Sequence, residues 1–450
     1  MKKIFLILLY SCAASNLLAQ TWAELGAGNN ALKANNTITS IVIDKSDNVY
    51  AAGSFTNAAG YYIVSKWNGV SWNELGNMAN NINKGNTIPT QMNCLAIDSI
   101  DNVYVTYAGS ATPKMFMKWN GTSWTVIAPS TAAGVLGPLA VDKSQDIFAN
   151  MFIEDFDANV SFYVVAEYPG WSVPGATVLS GYGANSQNVS FYRLPSAITI
   201  DPLGNVYVAK SSVVKWDRTV WSTLGNGQEN LDLIQDLAAD QAGNIYAASN
   251  SSSKNYVAVW DGTSWAELGM GINALKANGD IWTLSVDKFG NVYAAGDFTN
   301  ADGLRYVAKW DGSSWTELGA GTGALAANGI IYDVTTDGVG NVYAAGDFTN
   351  AHGKKYVAKW SADETLGIRS RASAQVEQFY PNPSNGFSCI KVIEDVELTV
   401  YSSLGEPLKT MYIHSGSSSI DLSFLTEGLY MLVCRGKTDT NYTPIKFIKE

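Results

Sequence analysis

The sequence predicts an all-β protein: a seven-bladed β-propeller closed by an N-terminal strand, followed by a small C-terminal β-sandwich. Between residues 37 and 360 one unit occurs seven times, an apolar strand ending in Asp, a turn, and a second strand such as Asn-Val-Tyr. A full unit contains four β-type segments and the period is near 50 residues, as expected for one propeller blade. The seventh unit lacks its fourth segment, and Thr21 to Gly26 (TWAELG) supplies one of the missing type.

The first 19 residues have the features of a secretory signal peptide. Lys2 and Lys3 precede an apolar run from Ile4 to Leu9, and small residues lead to Ala19. The run is too short for a permanent membrane-spanning helix, and we expect no transmembrane segment. An alternative is that Leu9-Tyr-Ser-Cys12 is a bacterial lipoprotein box, which would leave the protein lipid-anchored.

We expect residues 20–360 to form the propeller and residues 21–26 to be the outer strand of blade 7. An open seventh blade would expose a sheet edge with unpaired backbone groups, and pairing of the first and last segments removes that edge.

The Asp that ends the first strand of each unit serves as a reference and is called the marker Asp. In blade 6, Asp287 to Gly290 suits a type I turn followed by a left-handed Gly, and Asp47 and Asp101 occupy the Gly position in blades 1 and 2. The seven marker residues are Asp44, Asp98, Asp142, Asp201, Asp240, Asp287 and Asp337.

The apolar residues of each unit predict the packing of the ring. Positions one and three before the marker Asp are mostly large and apolar, which suits an inner strand buried between neighbouring blades. Paired Trp residues, such as Trp310 and Trp315, are expected to pack between blades.

From about Gln378 the period disappears and the composition changes. The residues FYPNPSNGF at 379–387, ELTVYSSLGEPLKT at 397–410 and SIDLSFLTEGLYML at 419–432 resemble the type A C-terminal sorting domain of type IX secretion substrates. The resemblance implies a sandwich at residues 378–450, the type IX secretion machinery as partner, and a secreted or outer cell-surface location after removal of both ends. Residues 361–377 would be the linker.

Cysteine usage agrees with export. Cys389 and Cys434 both lie in predicted strands of the sorting domain, where a disulfide between them and two free thiols are the open alternatives.

Composition and absent motifs narrow the function. A net charge of −11 disfavours nucleic-acid binding. The chain has only two histidines and no nucleophile, metal-protease or phosphate-loop motif, so we expect no enzyme and no cofactor.

The repeats also resemble NHL-type propeller units, a fold family that implies no single activity. We expect a monomeric binding or adhesion module for glycan or protein. One alternative is an extracellular polysaccharide-degrading enzyme, a hydrolase or lyase that uses carboxylates. A second alternative is a structural surface component.

The predicted ligand site lies where the inner strands begin, because the segments leading into these strands are expected to vary among blades. Aromatic rings beside polar groups suit a carbohydrate or polar ligand, although the rings could merely fill the channel. The candidate residues, four or five positions before a marker Asp, are Trp282, Tyr332, Gln235, Asn93, Asp236 and Asp333.

Two further groups of acidic residues remain as alternatives. Glu154, Asp155 and Asp157 form an acidic cluster that the repeat does not dictate, either a solvated loop or a second binding loop. The segment GDFTNADG at 296–303 could offer oxygen ligands to calcium, but a tight strand connection with side-chain-to-backbone hydrogen bonds is the expected interpretation.

Overall fold

The computed structural model describes two compact units, Met1–Asp363 and Glu364–Glu450. The described residues are 21–76, 94–107, 115–128, 133–155, 160–168, 177–178, 196–209, 212–225, 231, 233–251, 254–319, 321–361, 376–380, 384–392, 395–402, 407–436 and 442–449. Within them, no helix is long and apolar enough to cross a membrane.

Within its described residues, the first unit forms seven antiparallel sheets of four strands each, which confirms the predicted seven-bladed propeller. Blades 1 to 4 consist of Ile38–Ile43, Val49–Gly53, Ser65–Trp67 and Trp72–Glu74; Leu95–Ile97, Val103–Tyr107, Met115–Trp119 and Trp124–Ala128; Ala133–Val141, Ile147–Asp155, Val160–Tyr168 and Thr177–Val178; Ala197–Ile200, Val206–Ala209, Val213–Trp216 and Trp221–Thr223. Blades 5 to 7 consist of Ile234–Ala239, Ile245–Asn250, Asn255–Trp260 and Trp265–Glu267; Ile281–Val286, Val292–Gly296, Ala308–Trp310 and Trp315–Glu317; Ile331–Thr336, Val342–Gly346, Ala358–Trp360 and Trp22–Glu24. Short 3-10 helices at Gly28–Asn30, Gly271–Asn273 and Gly321–Gly323 precede three of the inner strands.

The N-terminal strand closes the ring as predicted. Trp22 lies opposite Trp360 and Glu24 opposite Ala358 in an antiparallel pair. The indole N–H of Trp22 also donates to the carbonyl of Leu318 in blade 6 at 2.9 Å. The two ends of the propeller sequence therefore share one sheet, which leaves the third strand of blade 7 without a free edge.

The marker Asp organises the first turn of each blade. In blade 6 the buried Asp287 accepts bonds from the backbone N–H groups of Phe289 and Asn291 on one oxygen, and from the Asn291 amide and the Tyr293 hydroxyl on the other. Gly290 has the predicted left-handed conformation, with φ of 82°. Hence the repeated D-x-x-G-N-x-Y pattern encodes a self-contained hydrogen-bonded turn.

Tryptophans connect neighbouring blades, as the sequence predicted. In blade 6 the rings of Trp310 and Trp315 lie 5.9 Å apart, and the Trp315 indole donates to the carbonyl of Leu268 in blade 5 at 2.7 Å. Trp72 makes the equivalent bond to Leu25 at 2.7 Å. The outer part of the ring is thus held by both ring packing and hydrogen bonds.

The second unit consists of two antiparallel sheets that share one apolar core, as predicted for a sandwich. Its first strand begins at Val376, two residues before the predicted boundary. One sheet contains Val376–Tyr380, Phe387–Val392 and Gly416–Asp421; the other contains Pro407–Ile413, Val396–Tyr401, Gly428–Gly436 and Tyr442–Lys449.

The disulfide considered between Cys389 and Cys434 is wrong, because both thiols are free. Cys434 is fully buried in the shared core, whereas Cys389 is only partly buried between the buried neighbours Ser388 and Ile390. Side chains alternate between the faces of a strand, so Cys389 points away from the core that contains Cys434.

Candidate functional site

The inner strands of four adjacent blades carry the same β-bulge one residue after they begin. The register shifts between Ile234 and Asp236 in blade 5, and at the equivalent positions of blades 6, 7 and 1. A bulge leaves the extra residue outside the ladder and redirects its side chain. The four bulge residues, which we call the channel mouth, are Gln235, Trp282, Tyr332 and Thr39.

In blades 1, 6 and 7 a glycine on the neighbouring strand lies opposite the residue that precedes the bulge. Gly296 lies opposite Ile281, and a Cβ placed on it would be 2.0 Å from the carbonyl oxygen of Asp280. Gly346 in blade 7 has the same 2.0 Å approach to the carbonyl of Ile330. Blade 5 has the same bulge with Ser249 opposite Ile234, so the glycine of VYAAG marks a close backbone approach in blades 6 and 7 and is not required for the bulge itself.

Two predicted aromatic residues meet at the channel mouth. The rings of Trp282 and Tyr332 lie 5.9 Å apart, edge to face, and both side chains are half-buried. Burial raises the pKa of the Tyr332 hydroxyl, and the nearby charges of Asp347 and Asp297 act in the same direction. The pair therefore forms a partly accessible aromatic surface beside charged groups.

Two ion pairs border the aromatic pair, and neither was predicted. The Arg305 Nε donates to Asp297 at 2.6 Å, and Lys355 is paired with Asp347. Thr37 of blade 1 donates its hydroxyl to Asp347 at 2.8 Å. Asp297 and Asp347 directly follow the strands that end at Gly296 and Gly346. With their two cationic partners, they add two carboxylates and two cations to the channel mouth.

The segment GDFTNADG serves as the expected strand connection. The side-chain carbonyl of Asn300 accepts the backbone N–H groups of Asp302 and Leu304, both at 3.1 Å. No cluster of three or more His, Cys, Asp or Glu side chains that could hold a metal ion occurs in the described part of the chain.

Directly below the mouth, four polar side chains connect consecutive blades; we call them the collar. Each accepts the backbone N–H of an apolar residue on the inner strand of the next blade. The bonds run from Leu284 to Asp236 at 2.7 Å, Val334 to Thr283 at 3.2 Å, Ile41 to Asp333 at 2.7 Å, and Leu95 to Ser40 at 3.1 Å.

The two carboxyl groups of the collar titrate near neutrality. Burial raises the pKa of Asp236 to about 7, against the opposing effect of the backbone bonds from Leu284 and Leu237. Burial likewise raises the pKa of Asp333 to about 7, and the charge of Asp236 adds to this rise. Thr283 lies between them, with its hydroxyl 3.4 Å from Asp333. The collar can thus bind protons at physiological pH and supply hydrogen-bond acceptors to the channel.

The structure brings five of the six predicted site residues together. Gln235, Trp282 and Tyr332 lie in the channel mouth, and Asp236 and Asp333 lie in the collar below it. Asn93 lies outside the described residues. In the alternative acidic group, Glu154 and Asp155 end the strand Ile147–Asp155, and Asp157 lies outside the described residues.

The expectation that the segments leading into the inner strands vary is wrong for blades 1, 6 and 7. Each contains a 3-10 helix and an Asn that bonds the second-strand loop of its own blade, as Asn278 does to Thr299 at 2.7 and 3.1 Å. These segments are repeated because each one stabilises its own blade through the same hydrogen bonds.

At the opposite end of the channel, the sequence interpretation missed a cavity of about 540 Å³. It lies among the first turns of blades 3, 4 and 5, and its wall includes Asp146, Leu203, Arg218 and Gln241. A detectable signal was present, since Asp146 replaces the repeated Asn and Arg218 replaces the Gly of the Asp-Gly hairpin.

Similarities to solved structures extend over about three quarters of the chain. A structure described as YCF48 bound to D1 peptide has 12% identity and a TM-score of 0.49, covering 77% of this chain and 99% of that one. YCF48 from Cyanidioschyzon merolae has 11% identity and a TM-score of 0.49, covering 76% and 98%. The WD40 repeats of RRP9 have 11% identity and a TM-score of 0.47, with coverage of 76% and 98%.

The C-terminal unit gives the clearer relationship. No curated protein sequence matches the chain significantly. Residues 378–450 match the family described as the secretion system C-terminal sorting domain. This segment is therefore a type IX secretion sorting domain, and the protein is exported to the cell surface or the surrounding medium.

Proposed function

We propose that the exported propeller is a non-catalytic binding module that takes a glycan at the channel mouth. The observation that carries this proposal is the shared β-bulge of blades 5, 6, 7 and 1, which gathers Gln235, Trp282, Tyr332 and Thr39. Bulges are frequent beside functional sites because they redirect side chains out of the ladder.

The chemistry of the mouth suits a sugar. The half-buried rings of Trp282 and Tyr332 can contact the apolar face of a pyranose, while amide, hydroxyl and charged groups orient its hydroxyls. Arg305 and Asp297 offer a donor and an acceptor at the rim of the same surface.

The binding experiment uses the full exported protein on glycan and surface-protein arrays, followed by calorimetry with the best ligand. Replacing Trp282 and Tyr332 with Ala should weaken affinity at least tenfold, because the apolar platform disappears. Phe289→Ala is the matched control, since it removes an aromatic ring that is 67% exposed on a first turn, at the opposite end of the channel. Unchanged affinity in the folded double variant would place the ligand elsewhere, and selective binding of proteins alone would exclude the glycan.

A catalytic role is the second candidate, and one observation favours it. Asp236 and Asp333 both have a pKa raised by burial to about 7, in the range that general acids and bases use. Both carboxylates nevertheless accept a backbone N–H of the next blade, which is the bond expected of a purely structural group.

A polysaccharide panel separates the two functions. Release of reducing ends or unsaturated products by the wild type, lost in Asp236→Asn and Asp333→Asn variants that stay folded, would establish catalysis. Binding without turnover is the result that the binding proposal predicts.

A further inference from the structure

The repeated turns provide an internal standard from which blade 3 departs. In the other six blades the marker Asp accepts the side-chain amide of an Asn and the hydroxyl of a Tyr, as Asp201 does from Asn205 and Tyr207 at 2.6 and 3.0 Å. Blade 3 has Asp146 at the Asn position and Phe148 at the Tyr position. Asp142 therefore lacks both side-chain donors of the standard turn.

Blade 4 supplies a replacement donor from a residue that also breaks the repeat. Arg218 takes the place of Gly in the second hairpin and adopts a left-handed φ of 78°, a conformation that a non-glycine residue rarely takes. Its Nη2 donates to Asp142, and its Nε donates to the carbonyl of Gly204 at 2.8 Å. The guanidinium also lies 4.8 Å from the centre of the Phe148 ring.

Two of the departures, Asp146 and Arg218, line the cavity of about 540 Å³, whose size falls in the range of small-molecule sites. Deviations from the repeated sequence tend to lie on the binding face of a repeat protein, because the repeated residues are sufficient to form the fold. The first turn of blade 3, in which the marker Asp lacks both the Asn and the Tyr donor, thus lies beside the cavity.

The wall of the cavity carries more negative than positive charge. Its cations are Lys143 and Arg218, and its four carboxylates are those of Asp142, Asp146, Asp201 and Asp240. Asp201 and Asp240 each accept four hydrogen bonds within their own turns. Such a wall disfavours an anion, and its carboxylate acceptors suit the hydroxyl groups of a neutral ligand.

The spacing of one pair suits a hydroxyl group. The Nη1 of Arg218 lies 3.7 Å from the Asp146 carboxylate, beyond hydrogen-bond distance. A ligand hydroxyl that lies beside both groups could accept from the guanidinium and donate to the carboxylate. Leu203, with 86% of its surface exposed, adds an apolar contact at the rim.

We infer that this cavity binds a neutral polyhydroxylated ligand of one or two sugar units, independently of the channel mouth. The probes are glucose, xylose, N-acetylglucosamine, cellobiose and maltose, added to the full exported protein and followed by saturation-transfer NMR and calorimetry. At least one should bind, and its affinity should be unaffected by Trp282→Ala with Tyr332→Ala.

Two variants test the location. The triple variant Asp146→Asn, Phe148→Tyr and Arg218→Gly restores the turn of the other blades and should reduce affinity at least tenfold. Gln241→Trp should have the same effect by filling the cavity, and Lys288→Trp is its control because it alters the same turn position in blade 6, outside the cavity wall. The inference is overturned if none of the sugars binds, or if Gln241→Trp binds as the wild type does.

Discussion

The carboxylate of Asp333 in blade 7 accepts the backbone N–H of Ile41 in blade 1 at 2.7 Å. This bond crosses the junction where the ring closes, and Trp22 closes the same blade at its outer edge. The inner end of the junction is thus held by a titratable side chain, and the outer end by backbone pairing and a buried ring contact.

Removing residues 21–26 should destabilise the propeller by several kcal/mol or cause aggregation, because blade 7 loses its outer strand and its Trp contact together. Trp22→Phe keeps an aromatic ring beside Trp360 but removes the 2.9 Å bond to Leu318, and it should cost about 1 kcal/mol. Thermal unfolding by circular dichroism measures both changes. A truncated protein that melts like the wild type would contradict closure by the N-terminal strand.

The collar carboxyls should make the propeller less stable as pH rises. Their pKa of about 7 exceeds the ordinary value of 3.8, so the folded state favours the protonated form. The resulting stabilisation is complete below about pH 4 and is lost as pH rises through 7. Cys94, which faces both carboxyls, stays neutral in this range because burial raises its pKa to about 12.

We therefore expect the Tm to fall by roughly 5 °C between pH 5 and pH 8. The double variant Asp236→Asn and Asp333→Asn should flatten this profile and melt higher than the wild type at pH 8. A parallel profile for both proteins would show that the collar carboxyls are ionised in the folded state throughout.

Gly296→Ala should destabilise blade 6 by about 2–4 kcal/mol, because the new Cβ would lie 2.0 Å from a backbone carbonyl. Gly338→Ala is the control, since nothing lies within 4 Å of a Cβ there. Equal denaturation midpoints for the two variants would show that blade 6 accommodates a Cβ at this position.

The thiols of Cys94, Cys389 and Cys434 should all titrate in the unfolded, unreduced protein. In the native state Cys434 should react slowest of the sorting-domain pair, because it is fully buried and burial raises its pKa to about 12. Mass spectrometry after alkylation gives the extent at each site. A single reactive thiol after unfolding would show instead that Cys389 and Cys434 form a disulfide.

Deleting residues 378–450 should leave the propeller folded but retained in the periplasm, since the chain divides into separate compact units. Cell fractionation with an antibody to the propeller measures the outcome. Normal amounts of the truncated protein outside the cell would contradict the role of the sorting domain.

The repeat made the fold predictable, because a period with four β-segments admits few architectures and Trp22 supplies the missing segment. The bulges were harder to predict. A bulge changes the direction of a side chain without altering the apolar pattern of the sequence. Asp236 and Asp333 were therefore predicted to lie at the channel mouth, whereas their carboxylates connect neighbouring blades. Whether Cys389 can pair with Cys434 depends on which face of its strand each side chain occupies. The role of Arg218 depends on its contact with Asp142, which lies 76 residues earlier in the sequence.

Hydrogen–deuterium exchange of the exported protein, with and without the ligand selected on the arrays, tests the binding site most directly. If the ligand binds at the channel mouth, exchange will slow at the starts of the inner strands of blades 5, 6 and 7, around Gln235, Trp282 and Tyr332. Protection confined to the turns at the opposite end of the channel, or to the strand ending at Asp155, would contradict binding at the channel mouth.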